Sequence, residues 1–282
     1  NNMKIIIKKI IKILISNDFI YKTFDKLLTI GWMIKFQRQL LDRENFEIVQ
    51  NSIIKDIFKE PLVLHGPFKG LKYPEFKSRS SSLYSKLIGS YEMELHNEIK
   101  NLLNYDFEQV INIGCAEGYY AVGLAMNLPK AEIHAFDIDS ESRDLTLQMA
   151  SLNGVLDRVK VKKNMTSNNF KNFDLSKKTL IISDIEGYEK NIFVKSVAKY
   201  LKNCYLIIET HDWVDINISS DIEQIFKNSH DIKTIQSIGD NIKAKTYSFN
   251  ELKGTDLLTK FRVFEEGRRY VDEWLIMYPK NK

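Results

Sequence analysis

The sequence predicts an α/β protein with a doubly wound, mostly parallel, Rossmann-like sheet behind a helical N-terminal extension, and three observations predict it. Beyond Phe107, short apolar runs alternate with helical stretches; the first run breaks into a glycine-flanked turn; the second ends in an aspartate. The runs cover residues 109–113, 132–136, 159–161, 179–183 and 204–209, near-continuously apolar as strands covered on both faces must be. Two later runs, 232–238 and 273–278, are candidates to complete the sheet.

The elements ahead of the sheet follow from spacing and punctuation. From Phe19 to about residue 60 the apolar residues, among them Phe24, Leu27, Leu28, Ile53, Ile54, Ile57 and Phe58, recur at helical intervals, which predicts two or three helices ended by Pro61. Residues 1–60 are thus read as a helical N-terminal region. Three prolines and two glycines between Pro61 and Pro74, followed by the polar run at 78–82, mark residues 61–90 as a connector or a lid over an acceptor site. A helix-like segment from Tyr84 to about Asn104 then leads into the α/β domain, residues 91–282.

Composition bounds the rest. A chain of 282 residues that is 44% hydrophobic buries one large core with a small helical attachment. Cys115 and Cys204 cannot build a disulfide framework, and no Cys/His cluster has zinc spacing, so a reducing, cytoplasmic setting is expected. Residues 1–90 carry 16 Lys and Arg against 8 Asp and Glu, while the remainder carries 25 against 29, so the net charge of +4 originates in the N-terminal third. In residues 3–15, Lys4, Lys8 and Lys12 share one helical face and isoleucines the other; lysines interrupt the run, so it is neither a signal peptide nor a membrane span. Such a face docks on the protein's own body or on a second subunit as a homodimer, or rests peripherally on the anionic inner face of a membrane.

The chemistry begins at Val110-Ile-Asn-Ile-Gly-Cys-Ala-Glu-Gly-Tyr-Tyr120, an apolar strand running into a turn and then a helix. Gly114 and Gly118 leave room for close approach of a ligand to backbone, and the helix start offers free N–H groups. Asp137 follows Gly114 by twenty-three positions, at the end of the second predicted strand, where a carboxylate accepts both ribose hydroxyls of a nucleoside. A dinucleotide fingerprint would need glycine where Ala116 and Tyr119 stand. A nucleoside without pyrophosphate fits instead, and S-adenosylmethionine, a nucleoside joined to an amino acid, is such a molecule.

With these residues in view, the chain resembles class I S-adenosylmethionine-dependent methyltransferases of the FkbM-like group. The resemblance is carried by Tyr91-Glu92, Asn112-Ile-Gly-Cys-Ala-Glu-Gly-Tyr-Tyr120, Ala135-Phe-Asp-Ile-Asp139 and Ser183-Asp-Ile-Glu-Gly-Tyr-Glu189. It implies a seven-stranded sheet with an antiparallel final strand and a methyl donor whose methionine part lies beside Gly114 and Glu117. Asp137 would then hold the ribose, with Ile138 and Asn164 near the adenine and Glu92 reaching the donor's amino group. The acceptor it implies is a hydroxyl on a small molecule or sugar. Two departures stand out: Asn112 replaces a common aspartate, and Asp137 replaces a frequent glutamate.

The fourth and fifth strands end in Ser183-Asp-Ile-Glu186 and Glu209-Thr-His-Asp212, polar groups at the carboxyl ends where the ligand crevice of an open α/β sheet lies. His211 is the candidate general base because imidazole titrates near neutrality, and Asp184 or Glu209 is the group to orient it or to accept the proton directly. No dedicated metal motif is present, so no metal ligand is assigned. A divalent cation on Asp184, Glu209 and Asp212 stays as an alternative. The absence of an Asn/Asp-Pro-Pro-aromatic tetrad at 184–187 argues against nucleic acid as acceptor. A non-catalytic binding or scaffold protein that retains a donor pocket, its basic N-terminus engaging a membrane or partner, is the second functional class.

Overall fold

The computed structural model describes residues 6, 8, 12, 16, 18–79, 82–268 and 270–280. They fall into two compact units, Asn1–Asp56 and Ile57–Lys282. Apart from Ile6, Lys8 and Lys12, the lysine and isoleucine stretch 3–15 lies outside the described residues. One helix, α1 (Asp18–Ile57), runs for 40 residues where the spacing predicts two or three. The reason is the absence of any proline before Pro61; Gly31 alone weakens a helix without ending it. Among the described residues no helix is long and apolar enough to cross a membrane.

The second unit is built on a seven-stranded sheet: β1 (Gln109–Ile113), β2 (Glu132–Phe136), β3 (Val159–Lys162), β4 (Thr179–Ser183), β5 (Tyr205–Thr210), β6 (His230–Gln236) and β7 (Glu273–Pro279). Their spatial order is β3-β2-β1-β4-β5-β7-β6. Strands β1 to β5 pair in parallel, and β7 runs antiparallel between β5 and β6. This is a doubly wound, Rossmann-like architecture with an antiparallel final strand. Every residue of β1 and β4 is buried, in keeping with their apolar sequences and central position.

Connecting helices cover the sheet: α4 (Tyr119–Asn127) follows β1, α5 (Ser140–Leu152) follows β2, and a further helix (Ile218–Phe226) follows β5. On one face Ile111, Ile113, Ile181, Leu206 and Leu275 pack with Phe170, Phe193 and Phe226 into a continuous core. At the edge of that covering, the segment expected as one helix over 84–104 is broken. Helix α2 (Leu83–Ile88) stops at Gly89, whose φ of 82° and contact with the His65 backbone leave no room for a side chain. Helix α3 (His96–Leu102) begins after a short 3₁₀ turn.

Residues 61–73 fold back on themselves through a Leu62–Lys72 bridge and bury Val63, Phe68, Leu71 and Tyr73. The Phe68 ring lies 2.5 Å from where a Gly123 Cβ would stand, so this stretch is locked onto α4. This part is a packed connector; Arg79 and Lys86, further along, reach cavities.

The sharpest steric constraint is at Gly114. Its φ is 77°, and an added Cβ would stand 1.7 Å from the Asp184 carbonyl oxygen. Glycine is required here by the neighbouring strand's backbone, a reason different from the ligand approach expected from sequence. Gly118, with φ of 101° and Thr146 beside it, similarly lets the start of α4 pack against α5. Gly114→Ala should therefore destabilise the protein by about 1–3 kcal/mol or prevent folding. Gly154→Ala, strained in φ but with open space around it, should cost about 1–2 kcal/mol. Urea denaturation of both variants checks the order.

Candidate functional site

Strand order reverses between β1 and β4, and the C-terminal ends of these strands open into a cleft. Two cavities, of about 640 and 390 Å³, make it up, and both are bordered by Gly114, Ala116, Asp184 and Glu186. The first is walled by Phe136, Asp137, Ile138, Asn164, Met165 and Ile185 among others; the second by Tyr91, Asn112, Glu209, His211 and Arg268 among others.

Asp137 stands just past β2, and both of its oxygens are oriented by backbone. Oδ2 accepts the Ala116 N–H at 2.8 Å, and Oδ1 accepts the Asp139 N–H at 2.9 Å. Ala116 reaches it in a left-handed conformation, φ 46°, inside the glycine turn. The fixed carboxylate keeps further lone pairs for hydroxyl donors. Ile138 is 79% exposed beside it, an apolar surface at the cavity mouth, and Asn164 lies across the same space.

Three of the donor-contact residues expected from sequence stand elsewhere. Glu117 lines neither cavity: it is buried in an ion pair with Lys86 and also accepts from Tyr73, Ser78 and the Arg79 backbone N–H. Burial opposes its charge, but Lys86 outweighs burial and holds the carboxyl below its usual range. Gly118 also lies outside both linings, serving helix packing. Glu92 sits behind the second cavity, where Tyr120 donates to it and Arg268 Nη2 contacts it at 2.9 Å. Burial, then the nearby Glu209 charge, raises Glu92 to about 7.

Arg268 is the hub of that wall. Besides Glu92 it contacts Glu266 at 3.0 Å, Asp272 at 2.8 Å and Glu209, and it lies over the Trp274 ring. Glu209 is thus engaged by a guanidinium and is not free to orient His211. Its carboxyl is raised to about 8, first by burial and then by Asp184.

His211 does converge with Asp184. Its Nδ1 is 2.8 Å from Glu189 Oε1, which is fully buried, and its Nε2 faces Asp184 at 3.5 Å and Glu186 at 3.7 Å. Burial disfavours the imidazolium, but the Glu189 hydrogen bond and the Asp184 charge outweigh it and push His211 up to about 9. The surrounding carboxylates thus favour the protonated ring. Asp184 is raised to about 7 by burial, against the opposing pull of His211. Asp212 does not join this group: its carboxylate caps Ser219, with the N–H at 2.9 Å, and so leaves the expected cation set.

Sequence reasoning placed Glu186 at the crevice without giving it a role, and missed Glu189 although it stands in the quoted 183–189 segment; nothing in its spacing marked it as bracing His211. Arg268 carried no local signal at all. Two buried oxygens on the cleft wall, Asn112 Oδ1 and Asp184 Oδ1, have no hydrogen-bond partner, a costly condition that a polar ligand would relieve. The Lys86–Glu117 pair, by contrast, is internally satisfied. Lys86→Met should cost about 3–5 kcal/mol by stranding a buried carboxylate, and Lys86→Met with Glu117→Gln should recover part of that loss. Denaturant titrations of the single and double variants measure both.

No family model and no curated protein matches the chain. Solved structures do resemble it at low identity. Precorrin-6y C5,15-methyltransferase from Geobacter metallireducens is 12% identical, with 68% of this chain and 88% of that chain covered and a TM-score of 0.45. TrmN from Thermus thermophilus is 10% identical over 70% of this chain and 52% of that chain, TM-score 0.43. Cofactor-bound Rv0187 from MTB is 13% identical over 62% and 74%, TM-score 0.39. The fold assignment rests on the strand order and the antiparallel β7 of the chain itself.

Proposed function

We propose that this chain is an S-adenosylmethionine-dependent methyltransferase acting on a hydroxyl oxygen of a small acceptor such as a sugar. The observation that carries the reading is the two-part cleft at Gly114: a hydroxyl-accepting carboxylate among apolar walls on one side, an acidic chamber on the other. The donor, when bound, supplies an electrophilic methyl group on a sulfonium.

Each part of the cleft has a task suited to its residues. Asp137, oriented by two backbone amides, accepts the ribose hydroxyls; Ile138 and Met165 offer apolar surface to the adenine, and Asn164 a polar edge. Asn112 Oδ1 is a buried acceptor without a partner, suited to the ammonium of the donor's amino-acid part. This replaces the task expected of Glu92, which Arg268 and Tyr120 occupy.

The acidic chamber chooses the acceptor class. Asp184, Glu186, Glu209, Glu266 and Asp272 border it with Lys86, Arg268 and His211. Lys86 is engaged by Glu117 and Arg268 by four carboxylates, so neither cation is free to hold a phosphate. That favours a neutral hydroxylated molecule over phosphate-rich strands. Asp184, Glu186 and His211 receive the reacting hydroxyl, and holding it in line with the donor is the main source of rate.

Calorimetric titration of the folded chain should give one saturable site for S-adenosylmethionine and for S-adenosylhomocysteine, with no comparable binding of NAD. Asp137→Ala should weaken it at least tenfold, about 1.4 kcal/mol or more. Absence of binding by well-folded protein would overturn the reading. With labelled donor, transfer to a panel of sugars and hydroxylated small molecules, and not to RNA, is the expected outcome.

A further inference from the structure

We infer that Asp184, Glu186 and His211 form a binding site for one divalent first-row transition cation at the junction of the two cavities. One ligand atom from each residue falls within 4.8 Å of the others. Around a cation with bonds of about 2.1 Å, neighbouring ligand atoms stand roughly 3.0–3.4 Å apart. The His211 Nε2 distances of 3.5 and 3.7 Å to Asp184 and Glu186 are close to that spacing and too long for good hydrogen bonds.

The two nitrogens of His211 make the contrast. Nδ1 is closed onto Glu189 at 2.8 Å, whereas Nε2 stops short of both carboxylates, although either is near enough to close the gap by a small rotation. The ring is only 5% exposed and its open nitrogen points into the group. A carboxylate holding the far nitrogen is the usual support for a metal-bound imidazole, since it fixes tautomer and orientation. Glu189, fully buried and braced by the Gly187 N–H, occupies that place.

Asp184 Oδ1 is the oxygen that faces Nε2 at 3.5 Å; it is enclosed and makes no hydrogen bond, even though 41% of the Asp184 side-chain surface faces the open cleft. A hydrogen-bonded ion pair would close this gap, whereas a cation between the two atoms fills it. Two carboxylates also balance a double positive charge when the imidazole is neutral.

The donor set indicates the class of ion. An imidazole nitrogen with two carboxylate oxygens suits manganese, iron or zinc better than magnesium or calcium, which prefer oxygen alone. Asp184 and Glu186 border both cavities, so the remaining coordination positions open onto the cleft. A pair of adjacent acceptor hydroxyls would bind there, and their acidity would rise. That role rests on the methyl-transfer reading, while the cation site itself rests on the three side chains.

The test uses the full chain stripped with a chelator and titrated with Mn²⁺ alone, followed by electron paramagnetic resonance and calorimetry. One Mn²⁺ per chain is expected, displaced by Zn²⁺ and not by equal Mg²⁺. Glu186→Gln, at a residue 70% exposed and so safe for folding, should weaken binding at least tenfold, and His211→Gln likewise; Glu75→Gln, remote and exposed, should leave it unchanged. Absence of a stoichiometric site in the stripped wild type, or binding by Glu186→Gln and His211→Gln equal to wild type, overturns the inference. S-adenosylhomocysteine titrated into the same stripped protein separates the two claims: its binding without Mn²⁺ binding sinks the cation site alone, and Mn²⁺ binding without it sinks the methyl-transfer reading alone.

Discussion

At the end of β1 the space that a side chain on residue 114 would fill is taken by the Asp184 carbonyl oxygen, 1.7 Å from the position of an ideal Cβ. The Asp184 N–H donates to the Ile113 carbonyl at 3.0 Å, so β1 and β4 stay zipped beyond their last paired residues. The cleft depends on this closeness. It puts the turn that carries Ala116 against the loop that carries Asp184 and Glu186, and the Gly114 and Cys115 N–H groups bind the Phe136 carbonyl on the other side. Three strand ends are thereby held in one geometry by backbone alone, leaving their side chains free for a ligand.

Polar groups around this frame divide into two kinds. Glu117 with Lys86, and Arg268 with its surrounding carboxylates, are internally paired, and they brace the walls. Asn112 Oδ1 is buried without a hydrogen-bond partner, and Asp184 Oδ1 has only the His211 ring at 3.5 Å, so both are acceptors to which a ligand's donor or a cation can bind. Paired walls limit reorganisation, and unmet acceptors at the centre supply affinity. The raised carboxyls of Glu92 and Glu209 have the same origin, since a cluster this acidic and this buried resists full ionisation.

The central strands β1, β4 and β5 were legible in sequence because each is a short, largely apolar run, as burial on both faces requires; the edge strands β3 and β6 mix buried and exposed residues and signal more weakly. Gly114 and Asp137 were legible through their spacing, although the pressure on Gly114 comes from a neighbouring strand that no local pattern reveals. Long-range pairing was not legible. Glu92 and Arg268 meet across 176 positions, and Glu117 and Lys86 across 31, so the capture of both acids by cations was invisible to motif reading. The same limit hid Glu189, whose work is to hold a histidine 22 positions away. The length of α1 was misread for a local reason: helical spacing sets where apolar residues fall, and nothing but a strong breaker sets where the helix ends.

The central claim, that the cleft framed by β1, β2 and β4 is the donor site, is tested most directly by hydrogen exchange with and without S-adenosylhomocysteine. The account predicts slowed exchange at the amides of residues 115–118, 137–139, 164–165 and 185–187, with the opposite end of the sheet unchanged. Saturating ligand that leaves these four segments unaltered, or protects only segments outside the cleft, would contradict it.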